Sequence, residues 1–147
     1  VYDLARVQEL TRGGVDLRAF KPMLEAAETG EFFTSRTLVA CDRDKVAGFV
    51  SWKEAYITWL YVDPDYQRRG IGRRLLGAAM IHTGAEAWTN ALGGNEPAVT
   101  LYERRGMEVV WSRVGDCGGY PCTSLRLALP TSRMRDPSAR RFPGAKS

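Results

Sequence analysis

From Ile57 to Leu76 the chain runs through a β-branched and aromatic stretch, a turn, two glycines and the start of an amphipathic helix. Strand, loop, helix is the implied order. Pro64 has no N–H for a ladder and pushes the residue before it away from helical geometry, so the strand should stop near Asp63. Pro64 and Asp65 then open a turn. Gly70 and Gly72 carry no side chain to keep a ligand off the backbone. They also fall where the first N–H groups of the next helix lack intrahelical partners. Those donors, at the positive end of the helix dipole, make a site for a phosphate. No Gly-Lys-Ser/Thr follows, so this is not a P-loop, and the third glycine of a dinucleotide fingerprint is missing.

The flanking pattern places this loop in a mixed α/β fold. Two short helices are expected first, on Leu4, Val7 and Leu10 up to Gly13, then on Leu17, Phe20, Leu24 and Ala27 up to Gly30. Three strands with short polar links follow, at 37–41, 46–52 and 56–62, and form an antiparallel meander. Ile71, Leu75, Ala78, Ala79 and His82 recur at helical spacing until Gly84. His82, the one histidine of the chain, lies at the end of that helix far from the glycines and is assigned a capping or surface role. A strand at 86–92 then requires a right-handed crossover, which makes it parallel to the strand at 56–62. Asn95 suits an N-cap, Pro97 a first turn and Gly106 a helix stop. Strands at 109–112 and 123–129 complete the sheet, separated by a glycine-rich loop at 115–121.

Length fits one domain, residues 1–129, followed by a tail at 130–147 expected to be disordered. That tail carries the whole net charge of +4, leaving the body neutral, so nucleic-acid binding is not expected of the domain. No apolar run reaches the ~18 residues needed to cross a bilayer, and no signal pattern opens the chain. A cytoplasmic protein is the expectation. Cys41, Cys117 and Cys122 match no zinc or redox spacing, and in that compartment they are expected as free thiols.

Gln67-Arg68-Arg69-Gly70-Ile71-Gly72, behind Leu60-Tyr61-Val62-Asp63-Pro64, resembles the Q/R-x-x-G-x-G/A acetyl-CoA loop of the GNAT N-acetyltransferases. Asn95, Ala98 and Tyr102 match a second motif of that family, N-x-x-A-x-x-x-Y. It is followed by a glycine step, with Met107 where phenylalanine is usual. The resemblance covers roughly residues 37–129. It implies a GNAT-like sheet in which two parallel strands splay to admit acetyl-CoA as co-substrate. Leu60 and Val62 would offer backbone groups to the pantetheine arm. Amides of Arg68, Arg69, Gly70, Ile71, Gly72 and Arg73 would cradle the pyrophosphate, and Asn95 would bond the cofactor arm. The implied activity is acyl transfer to a primary amine of a small molecule or peptide, by direct attack in a ternary complex. The alternative is a non-catalytic acyl-CoA-binding module. A homodimer is compatible with either, and no metal is called for.

An ammonium of pKa about 10 must lose a proton before it attacks a thioester, so a base is wanted. Glu54 is the first candidate, on the resemblance, with Tyr56 and Asp116 behind it. The leaving thiolate takes a proton, and Tyr102 matches the acid of the family.

Overall fold

The computed structural model describes residues 1–29 and 31–139. Helices α1 (Tyr2–Arg12) and α2 (Met23–Thr29) come first. Strands β1 (Arg36–Asp42), β2 (Lys45–Lys53) and β3 (Tyr56–Val62) then form the expected antiparallel meander. Next follow α3 (Ile71–Thr83), β4 (Trp88–Leu92), α4 (Glu96–Glu103), β5 (Glu108–Cys117) and β6 (Tyr120–Ala128). The six strands form one open sheet in the order β1-β2-β3-β4-β6-β5, mixed because β3 and β4 run parallel.

Helices α3 and α4 cover one face of the sheet and bury its largest apolar cluster, built on Val50, Ile57, Leu76, Ala79, Met107 and Leu127. Helix α1 crosses the other face. Leu10 packs there with Leu92, and Tyr2 with Phe49 and Trp59. Spacing alone misjudged part of α1, since Leu4 and Val7 are exposed and Leu10 alone of the three is fully buried. His82 is likewise exposed, its ring stacked on Trp52 at 4.9 Å. Among the described residues no helix is long and apolar enough to cross a membrane.

Three expectations need correction. The glycine-rich segment 115–121 is no loop: β5 and β6 run on through it as a hairpin, and both turn residues, Gly118 and Gly119, have positive φ. Such a turn matches the twist of the two strands, and two adjacent glycines meet its need at no steric cost. The hairpin brings Cys117 and Cys122 together as a disulfide with Cα atoms 5.8 Å apart, whereas Cys41 is free and exposed. The chain after Ala128 also stays ordered as far as Ala139. Ser132 is buried, Arg133 pairs with Glu86, and Arg126 donates to the carbonyls of Met134 and Ala139 at 3.3 Å. Arg126 explains this order: it lies wholly buried on β6 between the rings of Trp88 and Trp111, and its guanidinium draws backbone oxygens over itself. Residues 140–147 of the expected tail lie outside the described part.

Candidate functional site

Strands β3 and β4 pair over Tyr56–Trp88 and Ile57–Thr89 and then part. The Thr89 hydroxyl closes the junction by donating to the Ile57 carbonyl at 2.9 Å. Beyond it the strands splay, and a cleft of about 1210 Å³ opens between them. The Asp63 N–H bonds the Ala47 carbonyl on β2, so by the alternation of a strand Tyr61 faces β2 while Leu60 and Val62 face the opening. The Val62 carbonyl already accepts from Gln67 Nε2 at 3.2 Å. Gln67 thereby ties the loop to the strand, and through Gln8 at 2.7 Å to α1.

The loop itself is a row of unused donors. No backbone amide from Arg68 to Arg73 donates to a backbone carbonyl of the described residues; the first bond of α3 runs from Arg74 N–H to Gly70 C=O at 3.1 Å. Gly70 has φ 78°, and a Cβ built on it meets its nearest atom at 3.9 Å, so the space over this residue is open. An anion of phosphate size fits such a helix start without any charged side chain. Asn95, also in the cleft lining, sits at the N-cap position of α4, yet its side chain makes no capping bond, and its buried Oδ1 has no partner among the described residues. The expected cap role therefore fails for the side chain. A buried acceptor without a partner beside a cleft is the kind of group that a bound ligand or a water would satisfy after a small side-chain shift. Leu60 and Val62, the donor loop and Asn95 thus lie around one cleft.

Tyr102 on α4 is buried at the junction of the splay. Burial drives its phenol well above the ordinary value, against a Thr89 hydrogen bond that lowers it, with Glu9 and Tyr56 adding to the rise. It therefore stays protonated and can act as a donor. Tyr56 does not supply a base: burial raises it to about 12, and a base would need the phenolate. Glu54 is exposed in the β2–β3 turn at φ 54°, and Asp116 is exposed on β5. Neither belongs to the cleft lining, so the structure does not bring the expected carboxylate to Tyr102. Of the loop arginines, Arg68 and Arg73 line the cleft, whereas Arg69 lies over the Tyr66 ring at 5.0 Å.

Sequence reasoning missed the wall contributed by α1. Glu9 lines the cleft and accepts from the Tyr61 hydroxyl at 3.0 Å and from Arg6 through the same oxygen, Oε1. Burial lifts Tyr61 well above its ordinary value, and Glu9 lifts it further. On β4, Asn90 also lines the cleft, with a buried Oδ1 that has no partner. Glu9 fell on the polar side of an amphipathic pattern and Asn90 inside a strand; neither belonged to a local motif.

A GNAT acetyltransferase domain model matches residues 33–109, more than half of the chain. The mycothiol acetyltransferase of Propionibacterium freudenreichii is 40% identical over 83 residues, which are 54% of this chain and 27% of that protein. The peptidyl-lysine N-acetyltransferase YjaB of Escherichia coli is 33% identical over 87 residues, 59% of this chain and 58% of the relative. The chain thus spans between about a quarter and three fifths of the length of these curated relatives. Among solved structures, the putative acetyltransferase yncA of Salmonella typhimurium with its cofactor acetyl-CoA superposes with a TM-score of 0.59 at 17% identity, over 87% of this chain and 88% of that one. The family model covers the meander, the donor loop and the helix bearing Asn95 and Tyr102 in one alignment, and the chain belongs to the GNAT acetyltransferase family.

Proposed function

We propose that this protein is an N-acetyltransferase that moves an acetyl group from acetyl-CoA to a primary amine by direct attack in a ternary complex. One observation carries the reading: the parallel β3–β4 pair stops after two residues, and one cleft is lined by Arg68, Gly70, Ile71, Gly72 and Arg73 of the amide row and by the buried Tyr102. Acetyl-CoA, when bound, would supply a thioester carbonyl, at which the neutral amine would form an N–C bond while the C–S bond breaks and the amine's proton passes, by way of solvent, to the departing thiolate.

The protein's own groups divide the remaining work. Amides 68–73 hold the anion and Arg68 and Arg73 add charge at the mouth. Tyr102 donates a hydrogen bond where a thiolate would leave. Because its proton affinity is raised, full transfer to a thiol of ordinary pKa ~8.5 is uphill, and stabilisation by a hydrogen bond is its larger part. The amine class supported is that of the family at large; the relative YjaB is named for peptidyl-lysine.

Calorimetry with acetyl-CoA, followed by thiol release over a panel of primary amines, tests the reading. Binding with turnover is expected. No binding at millimolar acetyl-CoA rejects it, and binding without turnover on any amine leaves an acyl-CoA-binding module.

A further inference from the structure

We infer that Arg105, seated on Gly77 of α3, reads the 3′-phosphate of the co-substrate, and that this contact makes the protein prefer acetyl-CoA to its 3′-dephospho form. The inference rests on acetyl-CoA as the co-substrate proposed above.

The amide row ends at Arg73, whose own guanidinium lies toward Gly70, with Nη2 3.9 Å from a Cβ built on that glycine. Arg105 arrives from another element. It follows the C-terminus of α4 and lays its guanidinium against α3 one turn beyond the row, where Nη2 donates to the Arg73 carbonyl at 2.9 Å. Gly77 makes this approach possible. A Cβ built on Gly77 would stand 2.6 Å from Arg105 Nη2, 3.0 Å from Cζ and 3.2 Å from Nη1. Glycine is a poor helix former, yet α3 carries it in mid-helix. The guanidinium fills the space that the missing side chain leaves.

A guanidinium has five N–H groups in one plane, and among the described residues Arg105 spends only one of them on a hydrogen bond. That bond and the flat contact with α3 set its direction while the other donors stay open. Arg105 is exposed and lines the cleft. Arg73, Arg74 and Arg104 line it too, and among the described residues none of the four pairs with a carboxylate. Cations gathered without a counter-ion repel one another and favour an anion. The dipole of α4 accounts for a basic residue after its last turn, but not for one laid across a neighbouring helix.

Acetyl-CoA carries two kinds of phosphate. Its pyrophosphate suits the amide row, whose backbone donors converge at a helix start. A phosphate monoester has about two charges near pH 7 and three outward oxygens, which match a fork of N–H donors. The 3′-phosphate is such a monoester, joined to the pyrophosphate through one ribose. It must therefore lie near the row and off it, as Arg105 does.

Calorimetry on the full chain with acetyl-CoA and with acetyl-3′-dephospho-CoA tests this, because the two donors differ only in that phosphate. We expect the parent to bind acetyl-CoA about tenfold more tightly than the dephospho form. Arg105→Gln should weaken acetyl-CoA by about five- to tenfold and the dephospho form by less than about twofold. Gly77→Ala keeps every charge and removes only the seat. Its methyl displaces the far end of a flexible side chain, and alanine ranks above glycine in a helix. The preference should fall by about three- to fivefold while Tm holds or rises. High salt should narrow the preference of the parent.

A parent protein that binds both donors equally overturns the inference. So does an equal loss on both donors in Arg105→Gln, which assigns Arg105 to holding α4 against α3. A Gly77→Ala protein that keeps the full preference overturns it as well, since the guanidinium would then need no seat. Melting curves exclude unfolded variants. Failure of the parent to bind either donor at millimolar concentration rejects acetyl-CoA as co-substrate, an outcome distinct from these.

Discussion

The two walls of the cleft are built from different materials. On the α3 side the contacts are backbone: six amides, a glycine with positive φ and an unpaired strand edge. On the α1 side they are side chains, with Glu9, Arg6 and Tyr61 in one cluster and Asn90 in another. A backbone site asks for small residues at close approach and little else, so it is written in a short contiguous stretch. A side-chain site asks for particular groups, which the fold gathers from distant positions. The first kind can serve one shared ligand across a family, while the second is free to vary with the acceptor.

Gly70→Val tests the first wall most severely. A β-branched residue at φ 78° costs roughly 1–2 kcal/mol in the left-handed region. The fold has room for the new side chain, because a Cβ there meets its nearest atom at 3.9 Å. The ligand does not, because that space is where an anion would sit against the amides. We expect the Kd for acetyl-CoA to rise about 100-fold, or ~2.7 kcal/mol, with a fall in Tm of only a few degrees. Calorimetry and a melting curve read both. A Kd within threefold of the parent would mean that the backbone row does not hold the cofactor.

Tyr102→Phe separates holding from chemistry. It should lower kcat by roughly 10- to 100-fold, at or below the usual general-acid range, and leave acetyl-CoA affinity unchanged. The pH profile adds a sign. Burial raises the phenol above its ordinary value of about 10, so deprotonation of Tyr102 should cause no loss of kcat as pH climbs toward 10. A Tyr102-dependent fall below pH 9 would contradict the burial seen at the strand junction.

How much of this was legible in the sequence follows from the same contrast. The loop 67–72 and the stretch Asn95 to Tyr102 pointed to the family because each motif sits on consecutive residues, and the family model spans both. The meander, the crossover and the parallel pair followed from periodicity and turn residues. Glu9 was not readable, since its role depends on α1 lying across the splay, and no local pattern reports where a helix packs. Glu54 adjoins β3 in sequence, but it stands exposed in the β2–β3 turn, outside the cleft lining. Arg126 falls within the strand expected at 123–129, and its burial between two tryptophans is a product of sheet order.

The disulfide belongs to the acceptor side, where Cys117 and Cys122 pack with Leu10 and Leu92. The double change Cys117→Ser and Cys122→Ser should lower stability by about 2 kcal/mol, as the closed loop is short. Denaturant unfolding measures that loss. If the two walls are independent, the Kd for acetyl-CoA stays within about twofold while the acceptor KM rises several-fold. A matching loss of cofactor affinity would show that the hairpin supports both.

The smallest effects are expected at the arginine side chains, and they bear most directly on the backbone account. Arg68 and Arg73 line the mouth and are exposed, so removing either should weaken acetyl-CoA by at most about fivefold, near 1 kcal/mol, and less at high salt. Arg69 contributes an amide to the row, but its guanidinium lies over Tyr66 outside the lining. Its amide survives truncation, so Arg69→Ala should change the Kd by less than about twofold. Calorimetry at low and high salt compares the three substitutions. A tenfold loss at Arg69, abolished by salt, would place the phosphates among side chains and erase the difference between the two walls.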